Sequence, residues 1–303
     1  MKATGIGAAL ICALAMAAMT APASGQELNT LKKINATNAI TIGHRDVSMP
    51  FSYLDDKKQP IGYSIDLCMK IVDAIKTTQK LKQLEVKLQP VSAATRIPLI
   101  ANGTVDLECG ATTNTIERQQ QVAFSVTTFV ASTRLAWKKS SNFKSLNDLK
   151  GKSIVAVAGT TNLRQMTEIN SQRRLGITLL PIKHHNDAFA MIEKGEAAAF
   201  VSDDILLYGI IANATSPADY AVSSDALSVE PYGIMLRKDD PAFKKVVDDA
   251  IRALFKSGEI QKIYTKWFLS PIPPKNIKLN APISDVLKKI IAKPTDSGNP
   301  GDY

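Results

Sequence analysis

Two stretches of this chain are too apolar and too extended to be ordinary loops, and they constrain what the rest can fold into. T-T-F-V-A-S-T-R-L-A-W-K at 127–138 leaves one α/β unit, and L-S-V-E-P-Y-G-I-M-L at 227–236 comes back to it. Before the first run, I-T-I-G at 40–43 predicts a strand, and 62–76 predicts a helix with Ile65, Met69, Val72 and Ile75 on one face. A strand over 84–90 follows, then a helix over 95–102 stopped by Gly103, and a buried strand over 105–109. Between the runs the pattern repeats: strands at 153–157, 178–182 and 197–201, a helix start at A-G-T-T-N (158–162), and a helix at 187–194 ended by Gly195. Alternating strands and helices predict mostly parallel sheets with helices on both faces. The helix at 241–257 and the segment 260–268 return apolar surface to the first unit. The expected molecule is α/β and two-lobed, with a ligand cleft between the lobes and a hinge of two extended crossings. Lobe 1 takes 27–131 plus 231–293, lobe 2 takes 132–230, and the composition of 294–303 (P-T-D-S-G-N-P-G-D-Y) predicts a disordered tail.

The N-terminus stands apart from this core. Lys2 precedes an uncharged run rich in Ala, Leu and Met, and small residues at 21–25 offer a cleavage site, so 1–23 is expected to be a secretory signal peptide. Its removal takes away one lysine and no acid, which lowers the formal net charge from +9 to +8. The basic residues are spread along the chain without interleaved aromatics, a pattern of solvated surface rather than of nucleic-acid binding. Cys68 and Cys109 remain in the exported chain, either as a disulfide or as two small buried hydrophobes. No C-x-x-C or other metal-ligand spacing occurs, and neither a cofactor nor a metal is expected.

The candidate site is read from polar strand ends and helix starts, where open α/β sheets bind ligands. The richest stretch is 94–125, in which a strand, a small-residue loop and a helix opening near Thr115 follow one another. Free N–H groups at a helix start favour an anion, whereas Arg118 in the first turn opposes the dipole and needs another reason to be there. A bound carboxylate supplies one. Arg45, Arg96 and Arg118 from lobe 1, His185 and Asp203 from lobe 2, and the hydroxyls of Thr113 and Thr161 together match a ligand with two carboxylates and one ammonium. Taken singly, each arginine reads as a surface ion-pair partner and Asp203 as a helix cap; the case rests on their converging on one cleft.

At this point the chain resembles the glutamate/aspartate-binding members of extracellular solute-binding protein family 3, which deliver polar amino acids to ABC importers. The matching stretches are G-H-R…P-F-S-Y at 43–53, G-Y-S-I-D at 62–66, R-I-P-L-I-A-N-G-T-V-D-L-E-C-G-A-T-T-N at 96–114 and E-R-Q-Q-Q-V-A-F-S at 117–125. L-K-G-K at 149–152, G-T-T at 159–161, L-R-K-D-D-P at 236–241 and K-W-F…P-I-P-P-K-N at 266–276 extend the likeness over nearly the whole exported chain. The resemblance implies the type II periplasmic-binding-protein fold, a periplasmic location, L-glutamate or L-aspartate as ligand, an ABC permease as membrane partner and a monomer. It also implies roles: Arg118 with Thr113 and Thr161 for the α-carboxylate, Asp203 for the ammonium, and Arg45 and Arg96 with His185 for the side-chain carboxylate. Ala93 and Ala111 depart from it, standing where serines are expected near the ligand. Ser92 is a substitute for the first, and the backbone carbonyl of Ala111 is what remains to serve the ammonium. The rival expectation is a periplasmic enzyme on the same fold, of the prephenate/arogenate dehydratase type, with His185 as its acid or base. G-x-S-x-G, H-E-x-x-H and a complete phosphate loop are all missing from the sequence.

Overall fold

The computed structural model describes residues 29–303, so the expected signal peptide lies outside the described residues. Helix α1 (Thr30–Thr37), capped by Asn29, leads into strand β1 (Ala39–His44). A small antiparallel sheet of β2 (Val47–Ser48), β3 (Ser52–Leu54) and β4 (Pro60–Ile61) follows, then α2 (Tyr63–Thr78) and β5 (Glu85–Pro90). Next come α3 (Arg96–Ala101), β6 (Leu107–Glu108), the single turn α4 (Ile116–Gln119) and β7 (Val122–Phe124). The first apolar run becomes β8 (Phe129–Ala131) and β9 (Thr133–Lys138). The second lobe contains β10 (Ser153–Val157), α5 (Thr161–Arg173), β11 (Thr178–Ile182), α6 (His185–Lys194), β12 (Ala199–Asp203), α7 (Asp204–Ala212) and β13 (Tyr220–Val222). The second apolar run becomes β14 (Glu230–Tyr232) and β15 (Met235–Arg237), and α8 (Pro241–Ser257), α9 (Glu259–Tyr264) and α10 (Asp285–Ala292) follow it.

The strand order of the first sheet is β5-β1-β6-β15-β7, and that of the second is β11-β10-β12-β9-β13. Each has a parallel centre and takes in an antiparallel strand from a crossing run, β15 in the first and β9 in the second. The crossings also pair with each other, Ala131 opposite Glu230 and Phe129 opposite Tyr232. Both faces of each sheet are covered. In β10, Ile154 and Ala156 join one core with Trp137 and Met166, while Val155 and Val157 join another with Phe189 and Phe200. That is the period-two alternation of a strand buried on both sides. The crossings are anchored in the first lobe, where Phe129 stacks on Phe268 at 5.1 Å and meets Phe51 edge-on at 4.9 Å.

Four features differ from the sequence expectation. The helix opening near Thr115 is one turn long, so it has little dipole to offer an anion. Helix α7 has no counterpart in the sequence reading because I-L-L-Y-G-I-I-A is apolar on every side and leaves no polar face to mark a period. Helix α6 begins at His185 rather than 187, and β12 runs to Asp203 rather than 201. Residues 294–303, expected to be disordered, instead lie against the first lobe: Thr127 N–H donates to the carbonyl of Thr295 at 2.7 Å, and Lys244 holds Asp296 at 2.8 Å. Hydrogen bonds to backbone carbonyls hold this segment without apolar burial, so hydropathy carries no sign of it. Cys68 on α2 and Cys109 just after β6 form a disulfide, which settles the alternative left open above. Among the described residues no helix is long and apolar enough to cross a membrane.

Candidate functional site

Arg45, at the end of β1, is 3% exposed, and its backbone N–H donates to Ser52 Oγ at 2.8 Å, which ties it to the small sheet. Arg96 opens α3, and its Nη1 donates to the carbonyl of Ala111 at 3.1 Å and to Thr112 Oγ1, which in turn donates to Glu108. Arg118, in the turn capped by Thr115, donates from Nη1 to the carbonyl of Thr113 at 2.8 Å. Its Nη2 reaches across the cleft to the carbonyl of Gly159 at 3.2 Å. Thr113 and Thr161 face each other hydroxyl to hydroxyl at 3.5 Å, one from each lobe. Asp203, at the end of β12, accepts from Asn162 Nδ2 at 2.7 Å and from the Tyr232 hydroxyl. Its neighbour Asp204 instead accepts the N–H of Ser132 at 3.2 Å in the hinge.

Arg45, Arg96, Ala111, Thr113, Thr161, His185 and Asp203 line a single narrow cavity between the lobes, and Arg118 bridges the lobes beside it. All of these residues are buried. Arg45 Nη2, Arg96 Nε, Ser48 Oγ and His185 Nδ1 are buried without a hydrogen-bond partner. Leaving so many polar groups unpaired costs on the order of 1–3 kcal/mol each, so four of them on residues lining one cavity mark a place built to meet a ligand.

The electrostatics are mixed. Burial, then repulsion from Arg96, lowers the Arg45 guanidinium to about 10 and that of Arg118 to about 9, with Glu230, Glu108 and Asp203 opposing the shift at Arg118. Burial, then Arg45 and Arg96, hold His185 down to about 3, so it faces the cavity as a neutral ring. Burial, then the carboxylate of Glu230, raises Asp203 against its hydrogen bonds from Tyr232 and Asn162. The guanidinium groups stabilise an added anion, and Asp203 stabilises an added cation within the field of Arg118.

Two details differ from the sequence expectation. The Ala111 carbonyl accepts from Arg96, and the Ser92 hydroxyl pairs with Thr95 at 3.0 Å, with neither Ser92 nor Ala93 among the residues that line the cavity. Sequence reasoning also missed Ser48, Asn162, Glu230 and Tyr232. Glu230 is fully buried in the second crossing and accepts from Thr161 Oγ1 at 2.8 Å and Gln165 Nε2 at 2.6 Å. An acid inside an apolar run, as in V-E-P-Y, was the available signal for it. Ser48 had none. Among the described residues no group of three or more His, Cys, Asp or Glu could hold a metal ion.

A family model described as bacterial extracellular solute-binding proteins, family 3, matches residues 40–270. The chain is 51% identical over 289 residues to the L-glutamate/L-aspartate-binding protein of Pseudomonas aeruginosa, covering 95% of this chain and 96% of that one. It is 44% identical over 288 residues to the glutamate/aspartate import solute-binding protein of Escherichia coli K12, with 95% and 94% covered. Among solved structures, a mutant of ArgBP from T. maritima superposes with a TM-score of 0.69 at 28% identity, covering 78% of this chain and 98% of that one.

Proposed function

Because the chain belongs to the bacterial extracellular solute-binding proteins of family 3, we propose that it captures L-glutamate or L-aspartate between its lobes and delivers it to the membrane permease of an ABC importer. The observation that carries this is the charge layout of one pocket: Arg45 and Arg96 line it with His185, and the buried carboxylate of Asp203 lines it within the field of Arg118. Arg118, with Thr113 and Thr161, takes the α-carboxylate; Asp203 takes the ammonium; Arg45 and Arg96, helped by the neutral His185, take the side-chain carboxylate. Each contact between unit charges near 4 Å is worth roughly 4 kcal/mol at an effective dielectric of about 20. Desolvation cancels most of this, so the pattern acts chiefly on specificity.

The lobes in this account are 27–131 with 231–293, and 132–230, and they close about the paired crossings β8 and β14. The mature protein works as a periplasmic monomer after loss of residues 1–23. Ligand binding only to the folded, closed form raises stability by RT ln(1 + [L]/Kd), about 2.7 kcal/mol at a hundred times Kd. Purified mature protein should therefore show a higher melting temperature with millimolar L-glutamate or L-aspartate; no shift with either contradicts the proposal. The dehydratase alternative is disfavoured by the relatives, which are named as binding proteins. Release of a product from prephenate or arogenate would reinstate it.

A further inference from the structure

Segment 294–303 lies behind the residues that carry Arg118. Asn114, 1% exposed, donates from Nδ2 to the carbonyls of Asp296 at 2.8 Å and Ser297 at 3.3 Å. Gln119 Nε2 donates to Asn114 Oδ1 at 2.9 Å and to the carbonyl of Asp296 at 3.0 Å. Gly298 is pressed against the same turn: a Cβ there would stand 2.6 Å from the Ile116 nitrogen and 2.7 Å from the Thr115 carbonyl carbon. The segment also reaches the first crossing. The Tyr303 hydroxyl donates to the carbonyl of Ser297 and receives from Thr127 Oγ1, both at 2.7 Å. Asp296 pairs with Lys244, which also holds Asp248 at 2.6 Å, and Asp248 accepts the Val126 N–H at 2.8 Å.

We propose that segment 294–303 is a positioning strap that sets the Arg118 clamp from outside the cavity and ties it to the start of the hinge. The need for it is physical. A one-turn helix fixes its own geometry poorly, yet α4 must hold a guanidinium in register with a planar carboxylate. The strap supplies side-chain and backbone contacts that four helical residues cannot supply for themselves, and Asn114, through its N–H to the Pro231 carbonyl at 2.7 Å, passes the constraint on to β14.

The assignment to ligand binding rests on the proposed function, so the test has one arm that needs no ligand. A chain ending at Lys293 and the full-length variants Gly298→Val and Tyr303→Phe would be compared with the intact protein. Affinities for L-glutamate and for its α-amide would be read by competition, and amide hydrogen exchange over 113–120 would be read without ligand. The strap predicts affinity for L-glutamate about tenfold weaker or more, a smaller loss for the α-amide and faster exchange over 113–120. The peptide P-T-D-S-G-N-P-G-D-Y added to the shortened chain should restore both readouts. Equal losses for the two ligands, or affinity within twofold of the intact chain with unchanged exchange, overturn the proposal. If the intact protein binds neither acidic amino acid, the functional reading fails and exchange alone decides the strap: faster exchange upholds it, unchanged exchange removes it.

Discussion

Arg118 and Arg96 both lie in the first lobe and both carry buried charge, but their tasks differ. Arg118 bridges to lobe 2 through Gly159, whereas Arg96 is held within lobe 1 by Ala111 and Thr112. Removing one partner of a buried charge pair costs about 3–5 kcal/mol. Arg118→Ala is therefore expected to weaken every amino acid by at least about 100-fold. Arg96→Ala should weaken acidic ligands and narrow their advantage over glutamine. Calorimetric titration of both variants checks this, and equal loss across all ligands in both would refute the division of labour. Asp203 adds a pH dependence with a definite sign. Burial and the neighbouring Glu230 carboxylate raise its carboxyl, so in the ligand-free protein it holds a proton to a higher pH than an ordinary carboxylate. An ammonium stabilises the ionised form, so binding lowers this value and releases a proton. Affinity should rise as pH rises through the raised titration of Asp203, with buffer-dependent binding heats on the acid side reporting the released proton; a flat profile would contradict the role. Arg45, Arg118, His185 and Asp203 are legible in the sequence because each ends a strand or opens a helix. Glu230 and Tyr232 are not, since they sit inside an apolar run whose evident purpose is to cross between lobes.

Closure is decided by the loop between β10 and α5. Gly159 has φ +80°, and a Cβ on it would lie 3.0 Å from the backbone of Ala93 in the other lobe. A side chain there meets two costs: the left-handed backbone, roughly 1–2 kcal/mol, and contact with the Ala93 and Ala94 main chain that is eased only if the lobes part slightly. Gly159→Ala should keep the lobes from meeting and weaken binding by at least about tenfold. Small-angle scattering should then show a ligand-saturated variant more open than the native protein; native affinity would contradict this. The disulfide acts on a different element. Cys109 leads directly into the 110–113 loop, and the bridge spans a sequence separation of 41. Chain entropy gives about 4 kcal/mol for a loop of that length. Cys68→Ser with Cys109→Ser should lower unfolding free energy by about that amount in denaturant titration. At this scale the strands are legible from their apolar runs and α2 from its period, while α5 is marked only by its start at 158–162. Helix α7 is hidden by lack of a polar face, and the disulfide pairing is hidden because spacing alone cannot distinguish it from two buried thiols.

The molecule as a whole is two sheets, each completed by a strand from a crossing run, with a polar cavity between them. Because the crossings pair with each other and their aromatic side chains are embedded in the first lobe, motion of lobe 2 is expected to be a rotation about β8 and β14. Two long apolar runs flanking an α/β unit make this architecture legible in the sequence; the course of 294–303 is not, because it is held mainly by hydrogen bonds to backbone carbonyls. The central claim is that the cavity selects a second carboxylate through Arg45 and Arg96. L-Glutamate and L-glutamine differ at that end by one charge and little volume, so their affinities measured by calorimetric titration on the same mature protein test it most directly. Glutamate should bind at least about 100-fold more tightly, a difference of about 2.7 kcal/mol. Equal affinities, or a preference for glutamine, would contradict it.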